Sequence, residues 1–343
     1  MPPFTLTSFL IWLFLSFSSL AHPSGPTAKQ LKITVLHEFP KGTFIENLNI
    51  RPCGSILVTS YTGAHLYQLS PSQPGPPILV HTFSNATGLA GITETLPDVF
   101  YVIAGSFNWT TFSAIPESYS MHRVDFTQNS QTPYISFVTS LSTLGEPNGL
   151  TNIPGTPYIL IADSFYGLIY IFDTETSTLA IYLDHPLLKP TASIFKTGVN
   201  GIRISGDYLY FSNTGQDLLA RVQLEGSMLK GSPEVVVTGT PDDDFAIDRH
   251  GNAFLAENGN NDLSFATIGS NGTSPVTPVV IAGGGNSTVF AGPTSAQFGR
   301  AGYERSLFVT STGGIAGYLP QFFPGGSFKV GGRVSRVDFQ SEW

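Results

Sequence analysis

Cys53 is the only cysteine among 343 residues, so no disulfide can form within the chain and cysteine-based zinc sites are excluded. Charge is scarce too: Asp, Glu, Lys and Arg make up 12% of the residues, about half the usual soluble share of roughly 25%. The 16 basic side chains are outnumbered by 24 acidic ones, giving a formal net charge of −8. That balance offers no basic face for phosphates, and nucleic acid is not an expected partner. The chain has few of the Leu/Glu/Lys runs that build helix bundles or coiled coils. No G-x-S-x-G elbow occurs, which removes the α/β-hydrolase mechanism. The histidines are scattered, and no two have metal-ligand spacing. Gly283-Gly284-Gly285 lacks the strand-to-helix setting of a nucleotide loop and reads as a turn. Cys53, between Pro52 and Gly54, reads as an idle thiol in a turn.

Against these absences stands a hydrophobic share of 41%, ample for a core, with 36 Gly and 25 Pro to punctuate it. Abundant Thr, Ser, Val, Ile and Phe point to an all-β protein. The one long uncharged apolar run, Phe9 to Leu20, has signal-peptide length, ends in Ser19-Leu20-Ala21 and is too short to span a bilayer comfortably. The expectation is a signal peptide over 1–21, a single domain over 22–343, no stable membrane span after cleavage, and a protein that is secreted or works in the secretory pathway. Four acceptor patterns for N-glycosylation, at Asn85, Asn108, Asn271 and Asn286, agree with that route.

From Asn148 onward the chain reads NGLTNI, YILIADS, LIYIFDT and TLAIYLD, four short apolar strands parted by turn residues. Similar units start at Glu46, Gly88, Asn200, Asp243 and Gly292. Their spacing lies near the propeller blade period of roughly 40–50 residues plus loop insertions. A four-stranded meander buries its faces only when stacked between neighbours, so the repeat predicts a six-bladed β-propeller. The last unit shows three strands. Leu31 to Phe39 precedes the first unit as an unpaired strand, and placing it beside Arg333 to Phe339 closes the ring.

The innermost strand of each blade lines the central channel, so the residues that open it stand at the channel mouth. They are Glu46, Gly88, Asn148, Asn200, Asp243 and the Gly292-Pro293 pair. Two carboxylates and two carboxamides suit a hard cation such as Ca²⁺, although Asn-Gly is equally an ordinary turn dipeptide.

At these residues the chain resembles the gluconolactonase and regucalcin superfamily of six-bladed propellers. Calcium there is held by one Glu, two Asn and one Asp from successive blades. The resemblance implies Glu46, Asn148, Asn200 and Asp243 as ligands if the metal is retained. Asn47 and Asp244 depart from it, standing where that family usually has Gly. A narrower resemblance rests on ENLNIRPCGSILVT, GLAGITETLPDVFYVIAG, GVNGIRI, YLYFSNT, DDFAID and GPTSAQFGR. These segments are similar to a secreted fungal branch, frequent in secondary-metabolite gene clusters, that includes the hetero-Diels–Alderases of tropolone-sesquiterpenoid pathways. The implied activity joins a tropolone-derived quinone methide to a humulene-type alkene.

Tyr61, Phe107, Trp109, Phe165, Tyr166, Phe322 and Phe323 fall between strands, where they either pack blades together or form an apolar lid for a terpenoid-sized ligand. Arg203 and Arg300 lie near strand openers, suited to an ion pair with Asp243 or Asp244 or to a substrate contact. Three functions remain. A lactone hydrolase needs a metal to polarise a carbonyl and activate water. A cycloaddition needs two partners held face to face and no cofactor, and it gains from a hydrogen bond to the quinone-methide oxygen. For that reaction Glu46, Asn148, Asn200, Asp243 and Asp244 are the expected catalytic groups, with the three carboxyls sharing a proton. Asn47, Tyr61, Phe165, Arg203 and Arg300 are the expected substrate contacts. A non-catalytic binding propeller is the third.

Overall fold

The computed structural model describes residues 31–191, 197–268, 275–319 and 326–339. The signal segment expected over 1–21, Asn271, Phe322 and Phe323 lie outside the described residues. Six four-stranded antiparallel sheets form the blades, five of them simple meanders in sequence order. The sixth combines three C-terminal strands with Lys32–Glu38, which pairs with Arg333–Asp338 from Lys32↔Asp338 to Glu38↔Arg333. The N-terminal strand therefore closes the ring at the place the missing fourth strand requires.

The inner strands are Ile45–Ile50, Gly88–Leu96, Pro147–Asn152, Val199–Ser205, Phe245–Ile247 and Pro293–Phe298, each beside the next around the channel. Second strands such as Ile56–Ser60, Val99–Gly105 and Ser306–Ser311 are buried along their whole length, because each has a blade on both faces. Outer strands such as Ile78–Thr82 and Tyr134–Ser140 carry most of the exposure. Hydrophobic side chains gather in the seams between blades. Leu160, Ile169, Ile202 and Phe211 fill the seam of blades 3 and 4, while Leu36, Ile45, Phe308 and Val334 fill that of blades 6 and 1. Burial of this kind contributes roughly 25 cal/mol per Å² and carries the stability of a fold that has no disulfide.

One seam is also clamped by charge. The buried Arg51 donates to Asp98 through Nε (2.9 Å) and Nη2 (3.1 Å), to Gln68 at 2.7 Å and to the Ser130 carbonyl at 2.8 Å. Its guanidinium lies 3.8 Å from the Phe126 ring centroid. Cys53 is free and exposed.

In five inner strands the register slips by one extra residue, between Ile45 and Leu48, Leu89 and Ile92, Pro147 and Leu150, Val199 and Ile202, and Pro293 and Ser295. Such a bulge re-aims side chains. By this register Glu46, Asn148 and Asn200 occupy equivalent positions. The equivalents in blades 2 and 6 are Ala90 and Thr294, two residues beyond the Gly88 and Gly292 openers expected from the repeat. In blades 2 to 4 the residue after this position is a glycine set against the neighbouring inner strand. In blade 3 it is Gly149, where a Cβ would lie 2.4 Å from the Asn200 carbonyl oxygen, so only glycine fits.

Candidate functional site

At one mouth of the channel lies a cavity of about 410 Å³. Its floor is polar. Glu46, Glu146, Asn148, Asn200, Asp243 and Asn258 all line it. Asp243 is anchored by two carboxamides: Asn200 Nδ2 donates to Oδ1 at 2.8 Å and Asn258 Nδ2 donates to Oδ2 at 2.9 Å. Glu146 sits on the turn before the third inner strand. The buried Asp163 carboxylate accepts the N–H groups of Gly145 (2.8 Å) and Glu146 (3.1 Å), which fixes that turn.

Burial dominates the electrostatics. It raises the Glu46 carboxyl well above its ordinary value, helped by repulsion from Asp243, Asp244 and Glu146. The Asp243 carboxyl is pushed up to about 7 by burial and by the Asp244 charge, against the opposing pull of Asn258 and Asn200. Glu146 also rises to about 7, through burial and the Asp163 charge. Three carboxyls thus share one floor, none with a basic partner on it. The cluster expected from the sequence was Glu46, Asp243 and Asp244; in the fold Glu146 takes the third place.

Asp244 lies one layer deeper, away from the cavity lining. Its Oδ2 accepts from Arg203 Nη2 (2.6 Å), Ser295 Oγ (2.8 Å) and Asn47 Nδ2 (3.2 Å), and its Oδ1 from the Phe245 N–H (2.7 Å). Arg203 also donates from Nε to the Phe245 carbonyl at 3.2 Å. Asn47, Arg203 and Asp244 thus plug the channel beneath the floor and do not line the cavity. Gly201 makes room for this plug: a Cβ there would lie 2.4 Å from Asp244 Oδ1. Arg300 pairs with Glu94 and stands outside the lining. Phe165 and Tyr166 meet edge to face with centroids 5.2 Å apart and are exposed, also outside it.

The wall over blades 1, 2 and 6 is apolar: Phe44, Tyr61, Phe107, Trp109, Phe112 and Ile315. Much of it comes from a two-stranded hairpin, Phe107–Asn108 with Ser113–Ala114, inserted between the second and third strands of blade 2. Asn108 Oδ1 caps its turn by accepting the N–H groups of Thr110 (3.0 Å) and Thr111 (3.2 Å). Phe112 adopts a left-handed backbone (φ 51°), unusual for a bulky residue, and its ring lies 5.2 Å from Phe107. Trp109 packs 5.6 Å from Phe44 and 4.9 Å from Tyr318. The expected lid residues Tyr61, Phe107 and Trp109 do meet here. Phe44, Phe112, Glu146 and Asn258 were missed because none opens a repeat. A weak signal was available for Glu146, which lies two residues before the Asn148 opener.

The floor's donor chemistry, three carboxyls and three carboxamides, fits a hard divalent cation, and Asn258 Oδ1 is an oxygen buried without a partner among the described residues. Among the described residues no three His, Cys, Asp or Glu side chains are grouped to hold a metal, so carboxamides would have to complete any ligand set. No helix among the described residues is long and apolar enough to cross a membrane.

The six-bladed propeller fold is shared with solved structures of low sequence identity. The calcium-binding protein regucalcin from Agrobacterium tumefaciens superposes with a TM-score of 0.60 at 17% identity, covering 89% of this chain and 92% of that one. No family model matches the chain. Two curated fungal relatives define its family. Hetero-Diels-Alderase asR5 of Sarocladium schorii is 31% identical over 319 residues, 80% of this chain and 77% of the relative. A Phoma protein with the hetero-Diels-Alderase designation is 26% identical over 333 residues, 88% of this chain and 94% of the relative. The chain belongs to this hetero-Diels-Alderase family of enzymes.

Proposed function

We propose that the cavity joins a tropolone-derived quinone methide to a humulene-type sesquiterpene alkene, in the biosynthesis of a fungal tropolone sesquiterpenoid. The observation that carries this is the two-sided cavity. An oxygenated ring has hydrogen-bonding partners on the floor, which blades 3 to 5 supply together with Glu46 of blade 1, and a hydrocarbon ring has the aromatic wall of blades 1, 2 and 6. Holding two reactants in register supplies roughly 7–11 kcal/mol of the barrier, and a cycloaddition asks for little else. The precursor alcohol must first lose water. A carboxyl kept neutral by burial protonates the departing hydroxyl, and the ring hydroxyl gives up its proton to a neighbouring carboxylate, so the net product is quinone methide and water. The floor carboxyls Glu46, Glu146 and Asp243 are placed for both tasks.

The reaction as written requires no cofactor. A Ca²⁺ held by Glu46, Asn148, Asn200 and Asp243 would add Lewis acidity toward a carbonyl oxygen. The same oxygen floor supports a second reading, a metal-dependent lactone hydrolase of the gluconolactonase type. The aromatic wall favours the coupling. Incubation of the purified protein with a tropolone alcohol and humulene alcohol, beside a panel of lactones, separates the two. A tropolone–humulene adduct formed faster than in buffer supports the coupling; lactone hydrolysis without adduct overturns it.

We further propose that the chain enters the secretory pathway and carries N-glycans. Asn85, Asn108 and Asn286 are exposed, as an acceptor must be. Intact-mass measurement before and after glycosidase treatment tests this, and an unshifted mass with Met1 retained refutes it.

A further inference from the structure

We infer that Tyr61 is the hydrogen-bond donor that activates the oxygenated partner during the coupling, and that Tyr119 is its positioning residue. This rests on the coupling reading above and assigns the group that acts on the reacting oxygen.

Tyr61 is where the two halves of the cavity meet. It follows the second strand of blade 1, and its backbone N–H donates to the Phe44 carbonyl at 2.8 Å. A Cβ at Gly88 would lie 2.4 Å from the Tyr61 carbonyl oxygen, so the glycine allows the close approach that sets Tyr61 against blade 2. The ring belongs to the apolar wall, with centroids 5.6 Å from Phe44, 5.2 Å from Phe107 and 5.6 Å from Trp109. Its hydroxyl reaches the polar side, 3.5 Å from Glu146 Oε1 and 3.5 Å from the Tyr119 hydroxyl.

Those two distances decide the argument. O–H···O bonds cluster near 2.7–2.8 Å, and contacts at 3.5 Å are weak. Among the described residues the Tyr61 hydroxyl therefore has neighbours that aim it but no short acceptor, and a substrate oxygen can take that place without displacing a strong bond. Tyr119 stands behind it, almost fully buried, in space that Gly105 leaves open: a Cβ there would lie 2.1 Å from the Tyr119 ring. Burial raises the phenols of both residues above the ordinary value, so each keeps its proton at neutral pH.

The step balances without a proton changing owner. The quinone methide contributes a C=C–C=O unit and the alkene a C=C bond. One C–C and one C–O σ bond form, three π bonds become one, and no electron or leaving group departs. The Tyr61 proton stays on Tyr61. Its hydrogen bond to the heterodiene oxygen draws electron density from the unit and makes it a better acceptor for the alkene. As that oxygen becomes an ether the bond weakens, which favours product release.

The test compares wild type, Tyr61→Phe and Tyr119→Phe in the tropolone alcohol and humulene alcohol assay, with kcat, both KM values, diastereomer ratio and melting temperature as readouts. Expected for Tyr61→Phe is a kcat loss of roughly 100-fold, the low end for removing one such donor. KM for the humulene alcohol and the melting temperature should not move, and the diastereomer ratio should shift toward that of the uncatalysed mixture. Tyr119→Phe should lower kcat about 3- to 10-fold at unchanged KM, the effect of losing one modest hydrogen bond. An active wild type with a Tyr61→Phe variant that matches its kcat and diastereomer ratio overturns this inference alone. So does a loss confined to KM, which would reduce Tyr61 to a piece of wall. A wild type that forms no adduct overturns the coupling reading and this inference with it.

Discussion

The two halves of the cavity were built differently. The polar half, over blades 3 to 5, comes largely from the repeat: Asn148, Asn200 and Asp243 hold one equivalent position in three successive blades. Much of the apolar half comes from outside the repeat, from the blade 2 hairpin that brings Trp109 against Phe44 and Phe112 against Trp109. A hydrogen-bonding floor needs residues at fixed register around a ring, which a repeated strand supplies. A surface shaped to one hydrocarbon needs a departure from symmetry, and an insertion supplies that. In the proposed coupling the ring would hold the oxygenated partner, and the insertion would select what it meets.

The sharpest way to break this arrangement is from below. Arg203 is the only cation on Asp244 among the described residues, and the plug they form with Asn47 and Ser295 supports the floor. Arg203→Met leaves Asp244 buried with neutral partners alone. Removing one partner of such a pair costs about 3–5 kcal/mol, so the denaturant midpoint should fall steeply, and the Arg203→Met/Asp244→Asn pair should recover part of the loss. A midpoint unchanged in Arg203→Met would show that the plug is dispensable.

Within the polar half, Asp243→Asn swaps an acceptor oxygen for an NH2 that must face the NH2 of Asn200 or of Asn258. Coupling should slow by about 100-fold, the lower range for an acid–base group, and the melting temperature should fall modestly because one buried N–H loses its acceptor, a cost of about 1–3 kcal/mol. Full activity in this variant would move the chemistry off the floor.

These residues also mark how far the sequence could be read. The six blades were legible because each repeats four apolar strands between turns, and the closing strand because the last unit lacked one. Glu46, Asn148, Asn200 and Asp243 were legible because they open repeats. Their neighbours Asn47 and Asp244 looked equally close to the mouth, but a bulge re-aims Asn47, and the two side chains meet inside the channel, where Asn47 Nδ2 donates to Asp244 Oδ2 at 3.2 Å. Nothing local in the chain announces that Arg203, from another blade, will meet Asp244. The hairpin was illegible for a related reason: strands of two residues, with aromatics at their turn, carry no period to detect.

In the apolar half, Trp109→Ala removes the ring that links the hairpin to Phe44 and Tyr318. Burying a large apolar side chain contributes about 1.5–3 kcal/mol, or roughly 10- to 100-fold in binding. KM for the humulene alcohol should rise by that order while KM for the tropolone alcohol stays put. The two halves are independent to the extent that this split appears. A parallel rise in both constants would mean that the hairpin shapes the whole cavity.

The smallest expected effect is that of a chelator. Both oxygens of Asp243 already accept hydrogen bonds from carboxamide N–H groups, so the floor is held together by its own side chains. The coupling activates no water and transfers no hydride; it asks only that a hydroxyl depart and that two π systems meet. Dialysis against EDTA should therefore leave the coupling rate within about twofold, a change of no more than roughly 0.4 kcal/mol in the barrier. Lactone hydrolysis places the opposite demand on the same residues, since its water must be activated at a metal. If EDTA abolishes activity and Ca²⁺ restores it, together with turnover of simple lactones, the polar half is the working centre of a hydrolase and the aromatic wall only its roof.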